Sequence, residues 1–223
     1  MSNEVSATQA TDFAIAIDGP AASGKSTVAK RLARRLGLIM INTGAMYRAI
    51  AWTTIQKSVD ASDANAVIAM LADTHVACGV RDGGSTILID GVDPGDALRA
   101  DDVNSLVSTV AAIPEVRELL VAKQREYLTL GSLVMEGRDI GSVVFPNTPY
   151  KLYIDASEEV RLARRSAEGV ADVVSKRDAE DSKRKASPLM VADGAVVIDS
   201  SEMGIDEVVE AALATLRSQG LSA

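Results

Sequence analysis

The chain has 223 residues, and its 23 Lys and Arg against 31 Asp and Glu give a net charge of −8 with the single histidine neutral. This acidic balance argues against a general nucleic-acid binder, because binding along a phosphate backbone depends on a surplus of Lys and Arg. Hydrophobic residues make up 47% and charged residues 24% of the chain, a composition that excludes disorder over most of its length.

Short apolar runs alternate with segments of helical period along most of the chain. The runs are typical of strands buried on both faces of a parallel sheet, and the helical segments carry apolar stripes. In chain order the predicted elements are strand Phe13–Asp18, helix Gly24–Leu36, strand Leu38–Asn42, helix Ala45–Lys57, helix Pro114–Leu128, strand Leu133–Glu136, strand Tyr150–Asp155, helix Glu158–Glu168, strand Val196–Asp199 and helix Ile205–Leu216. This alternation predicts an α/β fold with a parallel sheet flanked by helices.

The stretch from about His75 to Gly95 interrupts this rhythm. It holds five of the sixteen glycines of the chain, which is a marked enrichment in turn-forming residues. Thr86–Asp90 is predicted as a strand of a hairpin, with Val80–Gly84 as its turn. The sequence therefore predicts a small antiparallel insertion within one domain that spans residues 1–223.

A phosphate-binding loop follows the first predicted strand. Gly19–Ser26 has the spacing G-x-x-x-x-G-K-[ST] and precedes an amphipathic helix, as that mechanism requires. Lys25 is expected to reach the β- and γ-phosphates of a nucleotide, and the Ser26 hydroxyl to bind Mg²⁺. The predicted ATP site comprises Gly19, Pro20, Ala21, Ala22, Ser23, Gly24, Lys25, Ser26 and Thr27.

P-loops serve both signalling GTPases and small-molecule kinases. The sequence has neither a D-x-x-G element nor an N/T-K-x-D motif, so a GTPase switch is excluded. A kinase needs a second pocket for the phosphoryl acceptor, and suitable polar motifs are present in Thr43–Arg48, Glu136–Gly141 and Arg177–Lys185. The first two follow predicted strands, and ligands of such sheets bind beyond the carboxyl ends of the strands. These motifs and the P-loop are therefore expected to face one crevice.

With these motifs the sequence resembles the bacterial cytidylate kinase family, from Ile15 to about Ile198. The motifs that carry the resemblance are IDGPAASGKST (17–27), NTGAMYRA (42–49), the hairpin insertion, VSTVAAIPEVR (107–117), EGRDIGSVVFP (136–146) and RDAEDSKRKASPL (177–189). The resemblance implies a P-loop kinase that transfers the γ-phosphoryl group of Mg·ATP to CMP or dCMP in pyrimidine nucleotide metabolism. It also implies that about 63–105 is an insertion that binds the nucleoside monophosphate and that about 158–187 is a lid.

The resemblance further implies roles for individual side chains. Thr43, Arg48 and Arg138 would hold the CMP phosphate with Tyr47 beside it, and Arg177, Asp181 and Arg184 would bracket the ribose and the phosphates. Asp139 would accept from the cytosine N4 amino group, with Ser108 and Arg117 at the acceptor edge of the ring. A carboxylate suits cytosine and repels uracil, because uracil offers an acceptor in place of that amino group. Lys25, Arg138, Arg177 and Arg184 are the predicted catalytic residues, and Glu136 is a candidate to assist Mg²⁺ through water.

The segment from Arg161 to Lys185 holds eight basic and five acidic residues. This positive segment predicts a lid whose arginines, among them Arg161, Arg164 and Arg165, close over ATP and exclude water. The alternative for these three arginines is a solvated helix face. Only eleven residues separate Arg165 from Arg177, fewer than in many members of the family, which leaves open which lid arginine reaches the γ-phosphate.

Three further expectations concern the whole chain. The one cysteine, Cys78, permits no internal disulfide and fits a reducing compartment. The polar start does not resemble a signal peptide, and no apolar run approaches the ~20 residues of a membrane span. A monomeric cytoplasmic enzyme without nucleic-acid or membrane partners is predicted. Another small-acceptor P-loop kinase and a non-catalytic nucleotide-binding regulator are the alternatives.

Overall fold

A computed structural model describes residues 12–167, 178, 181, 184 and 189–222 of the chain. In chain order, its strands and helices are β1 (Ala14–Asp18), α1 (Lys25–Leu36), β2 (Ile39–Asn42), α2 (Thr43–Gln56), α3 (Ala64–Ala72), β3 (Val76–Arg81), β4 (Gly84–Ile89), α4 (Asp101–Ala111), α5 (Pro114–Glu126), β5 (Leu133–Glu136), β6 (Lys151–Asp155), α6 (Glu158–Ala167), β7 (Val196–Asp199) and α7 (Ile205–Ser218). Short 3₁₀ turns cover Gly95–Arg99 and Tyr127–Leu130, and a π-helical turn covers Ile140–Val144.

The strands form one seven-stranded sheet in the order β3-β4-β2-β5-β1-β6-β7. All neighbouring strands run parallel except the hairpin pair β3 and β4, which is antiparallel. The predicted α/β fold is therefore confirmed. Because β1 and β5 lie at the centre, their carboxyl ends place the P-loop and the segment after Glu136 side by side, with Ile17 in register with Glu136.

Successive side chains of β1 point to opposite faces of the sheet, and each face has its own hydrophobic core. Ile15 and Ile17 pack with α1 and α7, whereas the smaller Ala14 and Ala16 face the cluster that contains α2, α4 and α5. All five residues of β1 are buried, as expected for a central parallel strand covered on both faces. Burial of each large aliphatic side chain contributes about 1.5–3 kcal/mol, so hydrophobic cores on both faces of the sheet support the strands that carry the site.

The hairpin of the insertion is present, but its turn is tighter than predicted. Arg81 and Gly84 are already paired across the two strands, so the turn is Asp82-Gly83 rather than Val80–Gly84. Both turn residues have positive φ, 52° and 73°, which the Asp-Gly pair adopts readily. The hairpin also extends the main sheet, because β4 pairs in parallel with β2.

Two helices were not predicted, α3 and α4, although their sequences lie in the predicted insertion or at its border. Asp63 caps α3 by accepting from the N–H of Ala66 at 3.1 Å, a signal that the sequence contained. Across the described residues, no helix combines the length and apolar character needed to cross a bilayer.

Candidate active site

The P-loop leaves β1 in a conformation that requires glycine at two positions. Gly19 has φ +151°, and a Cβ built there would lie 2.1 Å from the carbonyl oxygen of Ile154 on β6. Gly24 has φ +90° and begins α1. The Lys25 side chain is buried, and its Nζ donates to the carbonyl oxygen of Pro20 at 2.8 Å. The loop therefore has the backbone curl and the buried cation that phosphate binding requires.

Side chains from the predicted lid hold the backbone of the P-loop. The N–H of Ala21 donates to Oδ1 of Asp178 at 2.9 Å, and Arg161 donates to the carbonyl oxygen of Ala21 at 3.2 Å. Arg161 also pairs with Asp178, and its side chain is 11% exposed. Arg164 donates to the carbonyl oxygen of Ser23 at 3.1 Å. Arg161 and Arg164 thus do not lie on a solvated helix face; they pack against the loop.

An oxygen pair suited to Mg²⁺ lies beside the P-loop. The Ser26 hydroxyl donates to Oε1 of Glu136 at 2.8 Å, and Glu136 is buried at the end of β5. Mg²⁺ prefers such hard oxygen ligands and takes its other ligands from phosphates and water. The residues therefore fit the predicted ion.

The predicted donor and acceptor residues converge on one pocket. Those that line it are Ala21, Ala22, Lys25, Ser26, Thr43, Tyr47, Arg48, Ser108, Arg117, Arg138, Asp139, Asp181 and Arg184. A neighbouring cleft along α1 is lined by the predicted residues Ser23, Gly24, Lys25, Ser26 and Thr27 and by Arg164, Ser200, Met203 and Ile205. Gly19 and Pro20 line neither, and Arg177 lies outside the described residues.

Asp181 joins two of the predicted catalytic arginines. Its Oδ2 accepts from Nε of Arg138 at 2.9 Å, and its Oδ1 accepts from Arg184. Asp181 is 2% exposed, so both contacts form away from bulk water. Burial lowers the pKa of the Arg184 guanidinium, and the Asp181 carboxylate opposes that shift. The carboxylate thereby holds two guanidinium groups at the pocket, a geometry suited to phosphate oxygens.

A buried ion pair lines the same pocket. Arg117 on α5 pairs with Asp139, and both side chains are less than 10% exposed. Arg117 also donates to the carbonyl oxygen of Ala111 at 3.2 Å, and its Cζ lies 5.3 Å from the centre of the Tyr47 ring. Its Nε has no hydrogen-bond partner among the described residues. The pair offers an acceptor and an unsatisfied donor to the polar edge of a ring.

The start of α2 supplies the residues predicted to hold the acceptor phosphate. Asn42 caps the helix by accepting from the N–H of Ala45 at 3.0 Å. The Thr43 hydroxyl donates to the carbonyl oxygen of Glu136 at 2.8 Å, which ties α2 to β5. The guanidinium of Arg48 lies over Gly44, where an added Cβ would be 3.3 Å from its Nη1. Burial raises the pKa of Tyr47 to about 12, so its hydroxyl stays protonated at neutral pH.

One buried acid of the site was not predicted. Asp18 ends β1 and is 3% exposed. Its two carboxylate oxygens accept the N–H groups of Ile140 and Gly141, each at 2.8 Å. Burial raises its pKa to about 7 against the opposing effect of these two bonds. The signal was an acid at the end of an otherwise apolar strand, since Asp is almost never fully buried without partners.

Comparison with known proteins fits this site. The family model described as cytidylate kinase matches residues 15–218. The chain belongs to the cytidylate kinase family. A cytidylate kinase of Geobacillus sp. (strain WCH70) is 42% identical over 207 residues, which cover 88% of this chain and 92% of the relative. A cytidylate kinase of Rhodococcus opacus (strain B4) is 43% identical over 207 residues, with 87% and 90% coverage.

The fold is shared more widely than the family. An unliganded sugar kinase from Janibacter sp. HTCC2649 superposes with a TM-score of 0.50 at 15% identity, covering 94% of this chain and 96% of the other. This likeness concerns the fold alone. The predicted resemblance to the cytidylate kinase family is thus confirmed, whereas the roles assigned to single residues of the pocket stay predictions.

Proposed function

We propose that this member of the cytidylate kinase family transfers the γ-phosphoryl group of Mg·ATP to CMP, giving CDP and ADP, with dCMP as a second acceptor. The observation that carries the proposal is one pocket lined by both the P-loop and the buried Arg117–Asp139 pair. A P-loop alone fits any nucleoside triphosphate. The ion pair adds a way to recognise the base of an acceptor.

The Arg117–Asp139 pair is proposed to read the cytosine ring. Asp139 accepts from the N4 amino group, while Arg117 and Ser108 serve the acceptor edge of the ring. The Arg117 Nε, buried and without a partner in the described structure, gains an acceptor when the base binds. Uracil places an acceptor opposite the Asp139 carboxylate, which already pairs with Arg117. Two acceptors then face each other without a hydrogen bond, a loss that such sites use to reject the wrong substrate.

The acceptor phosphate needs no protein base. A phosphate monoester has a second pKa near ~6, so the attacking oxygen is already deprotonated at neutral pH. Thr43, Tyr47, Arg48 and Arg138 are proposed to hold this phosphate at the start of α2, where the helix dipole favours an anion. Catalysis then consists of placing the two phosphates in line and neutralising the charge on the transferred group.

Lys25, Arg138, Arg177 and Arg184 are proposed to perform that neutralisation. Lys25 gives up its hydrogen bond to the Pro20 carbonyl oxygen and binds phosphate oxygens instead. The guanidinium groups of Arg138 and Arg184, both paired with Asp181, act on the transferred group. Ser26 and Glu136 would hold Mg²⁺, which supplies further positive charge at the phosphates when it is bound. An arginine of this kind can contribute about 10³–10⁵ in rate.

The chain is proposed to work as one domain with two specialised parts. Residues about 63–105 form the insertion for the nucleoside monophosphate; Val107, Ser108 and Ala111 of the adjoining α4 line the pocket. Residues about 158–187 form the lid, supported by Arg165 of α6, which also lines the pocket. Asp181, already bound by two arginines, is proposed to contact the ribose. We place this enzyme, as a monomer, in the cytoplasm.

A coupled assay of ADP release tests the proposal. CMP, dCMP, UMP, AMP and GMP are each offered with Mg·ATP to the full chain, and K25M serves as a control for contaminating kinases. Rapid turnover of CMP, slower or comparable turnover of dCMP and weak turnover of UMP are expected. Turnover of a different acceptor in preference to CMP would show another small-acceptor kinase. ATP binding without turnover of any acceptor would show a non-catalytic regulator.

A further inference from the structure

The backbone hydrogen bonds between β1 and β5 end just before Arg138 and Asp139. The last backbone bond of this ladder runs from the N–H of Gly137 to the carbonyl oxygen of Ile17 at 3.0 Å. Beyond that point the chain after β5 turns away, and Arg138 and Asp139 belong to no strand. Asp139 has a φ of −147° and a ψ of 24°, which is not the geometry of a regular helix or strand.

Asp18 bridges the gap that the ladder leaves. Its Oδ1 accepts the N–H of Ile140 and its Oδ2 accepts the N–H of Gly141, both at 2.8 Å. These are the two residues directly after Asp139, and Asp18 is the residue directly before the P-loop. One buried carboxylate therefore connects the loop proposed to bind ATP with the loop proposed to bind CMP.

The space around this contact is tight. A Cβ at Gly141 would lie 3.4 Å from Oδ2 of Asp18 and 3.2 Å from both Cδ of Lys151 and Cβ of Ala192. A side chain at this position would therefore have little room, and glycine lets the backbone lie close to the carboxylate. Because buried N–H groups must be paired, the two bonds to Asp18 fix the position of the backbone at Ile140 and Gly141. The position of this backbone in turn sets the direction of the side chains just before it, Arg138 and Asp139.

We propose that Asp18 is a positioning residue: its carboxylate fixes the backbone of Ile140 and Gly141 and so aligns Arg138 and Asp139 with the P-loop. The inference rests on the proposed function. Asp18 contacts neither phosphate nor base in this scheme. It acts through the acceptor loop, so its loss harms the use and the choice of acceptor more than the binding of ATP.

The test compares D18N with the wild-type full chain. The asparagine amide has one acceptor oxygen, so one of the two backbone N–H groups faces another donor. The expected result is a loss of about 10- to 100-fold in kcat/KM for CMP, the size expected for one unpaired buried group. The preference for CMP over UMP falls with it. ATP, measured by its Kd without acceptor, binds as tightly or more tightly because a negative charge near Lys25 is removed.

T148V is the matched control. The Thr148 hydroxyl donates to the carbonyl oxygen of Ala14 at 2.5 Å, at the opposite end of the same strand. Its loss is expected to lower stability without changing the ratio of CMP to UMP turnover. D18N with wild-type selectivity and wild-type kcat/KM for CMP would overturn the inference while leaving the proposed function intact. A wild-type chain without CMP turnover would instead overturn the proposed function.

Amide hydrogen exchange tests the inference without an activity assay, and part of the test needs only the wild-type protein. The N–H groups of Ile140 and Gly141 are expected to be protected in the native enzyme and to exchange faster in D18N, whereas the N–H of Gly137 is unchanged. Exchange of the two amides at the rate of exposed loops in the wild type would overturn the inference even if D18N did not fold.

Discussion

Replacement of Asp139 by asparagine tests the proposed reading of the base. Asp139 is paired with Arg117 where both side chains are less than 10% exposed. Asparagine keeps the shape and one acceptor oxygen but loses the charge, so the contact to the cytosine amino group weakens from a charged to a neutral hydrogen bond. It can also donate to the O4 of uracil, which the carboxylate cannot do.

The size of the effect follows from hydrogen-bond energetics. A bond to a charged group is worth about 1.5–3 kcal/mol, against about 1 kcal/mol for a neutral one. The difference, about 0.5–2 kcal/mol, means that D139N is expected to lower kcat/KM for CMP by about 2- to 30-fold. The ratio of CMP to UMP should fall by more, since UMP gains a donor. Removal of one partner of a buried pair also costs about 3–5 kcal/mol of stability, and D139N, which keeps an acceptor for Arg117, should cost less.

Steady-state kinetics with CMP and UMP at saturating Mg·ATP measures both effects. D206N is the matched control, because it makes the same chemical change at an exposed acid that pairs with Arg31 on the surface. It should leave both kinetic constants unchanged. If D139N kept the wild-type ratio of CMP to UMP, Asp139 would not be the residue that reads the base, and the proposed orientation of cytosine would be wrong.

Two other perturbations test the donor side and the buried acid. K25M should lower kcat by at least about 10²-fold, because a buried cation that acts on the transferring group is removed; a kcat within a few-fold of wild type would contradict its role. The pKa of Asp18, about 7 in the fold against 3.8 ordinarily, means that its contribution to stability is complete below pH 3.8 and is lost as the pH rises through 7. The free energy of unfolding, measured with urea, should therefore fall by about 2 kcal/mol more for the wild type than for D18N when the pH is raised from 5.5 to 7.5. D18N keeps the charged neighbours Asp139 and Lys25 and so isolates the titration of Asp18. A difference between the two proteins that does not change with pH would refute the raised pKa.

The sequence predicted the fold and the main motifs because their signals are local. The glycine spacing of the P-loop is dictated by backbone geometry, and Gly19 in the structure leaves no room for a side chain. The apolar runs of the central strands are equally direct, and their predicted ends differ from the observed ones by at most one residue.

What the sequence did not predict depends on contacts between distant segments. The bonds of Asp18 to Ile140 and Gly141 span more than 120 positions, and no periodicity reveals them. The same is true of Arg161 and Asp178, which bind the backbone of Ala21 although they lie 140 and 157 positions later in the sequence. Helix α3 was not predicted because it is a short apolar segment of nine residues that precedes the glycine-rich stretch, although its Asp63 cap was visible.

The central claim is that this chain makes CDP, and direct identification of the product tests it. Phosphorus NMR of the full chain with Mg·ATP and CMP should show the β-phosphate of CDP appearing together with ADP, and no comparable diphosphate when UMP replaces CMP. A spectrum in which CMP stays unchanged while ATP is intact, or in which UMP is converted as fast as CMP, would contradict the account.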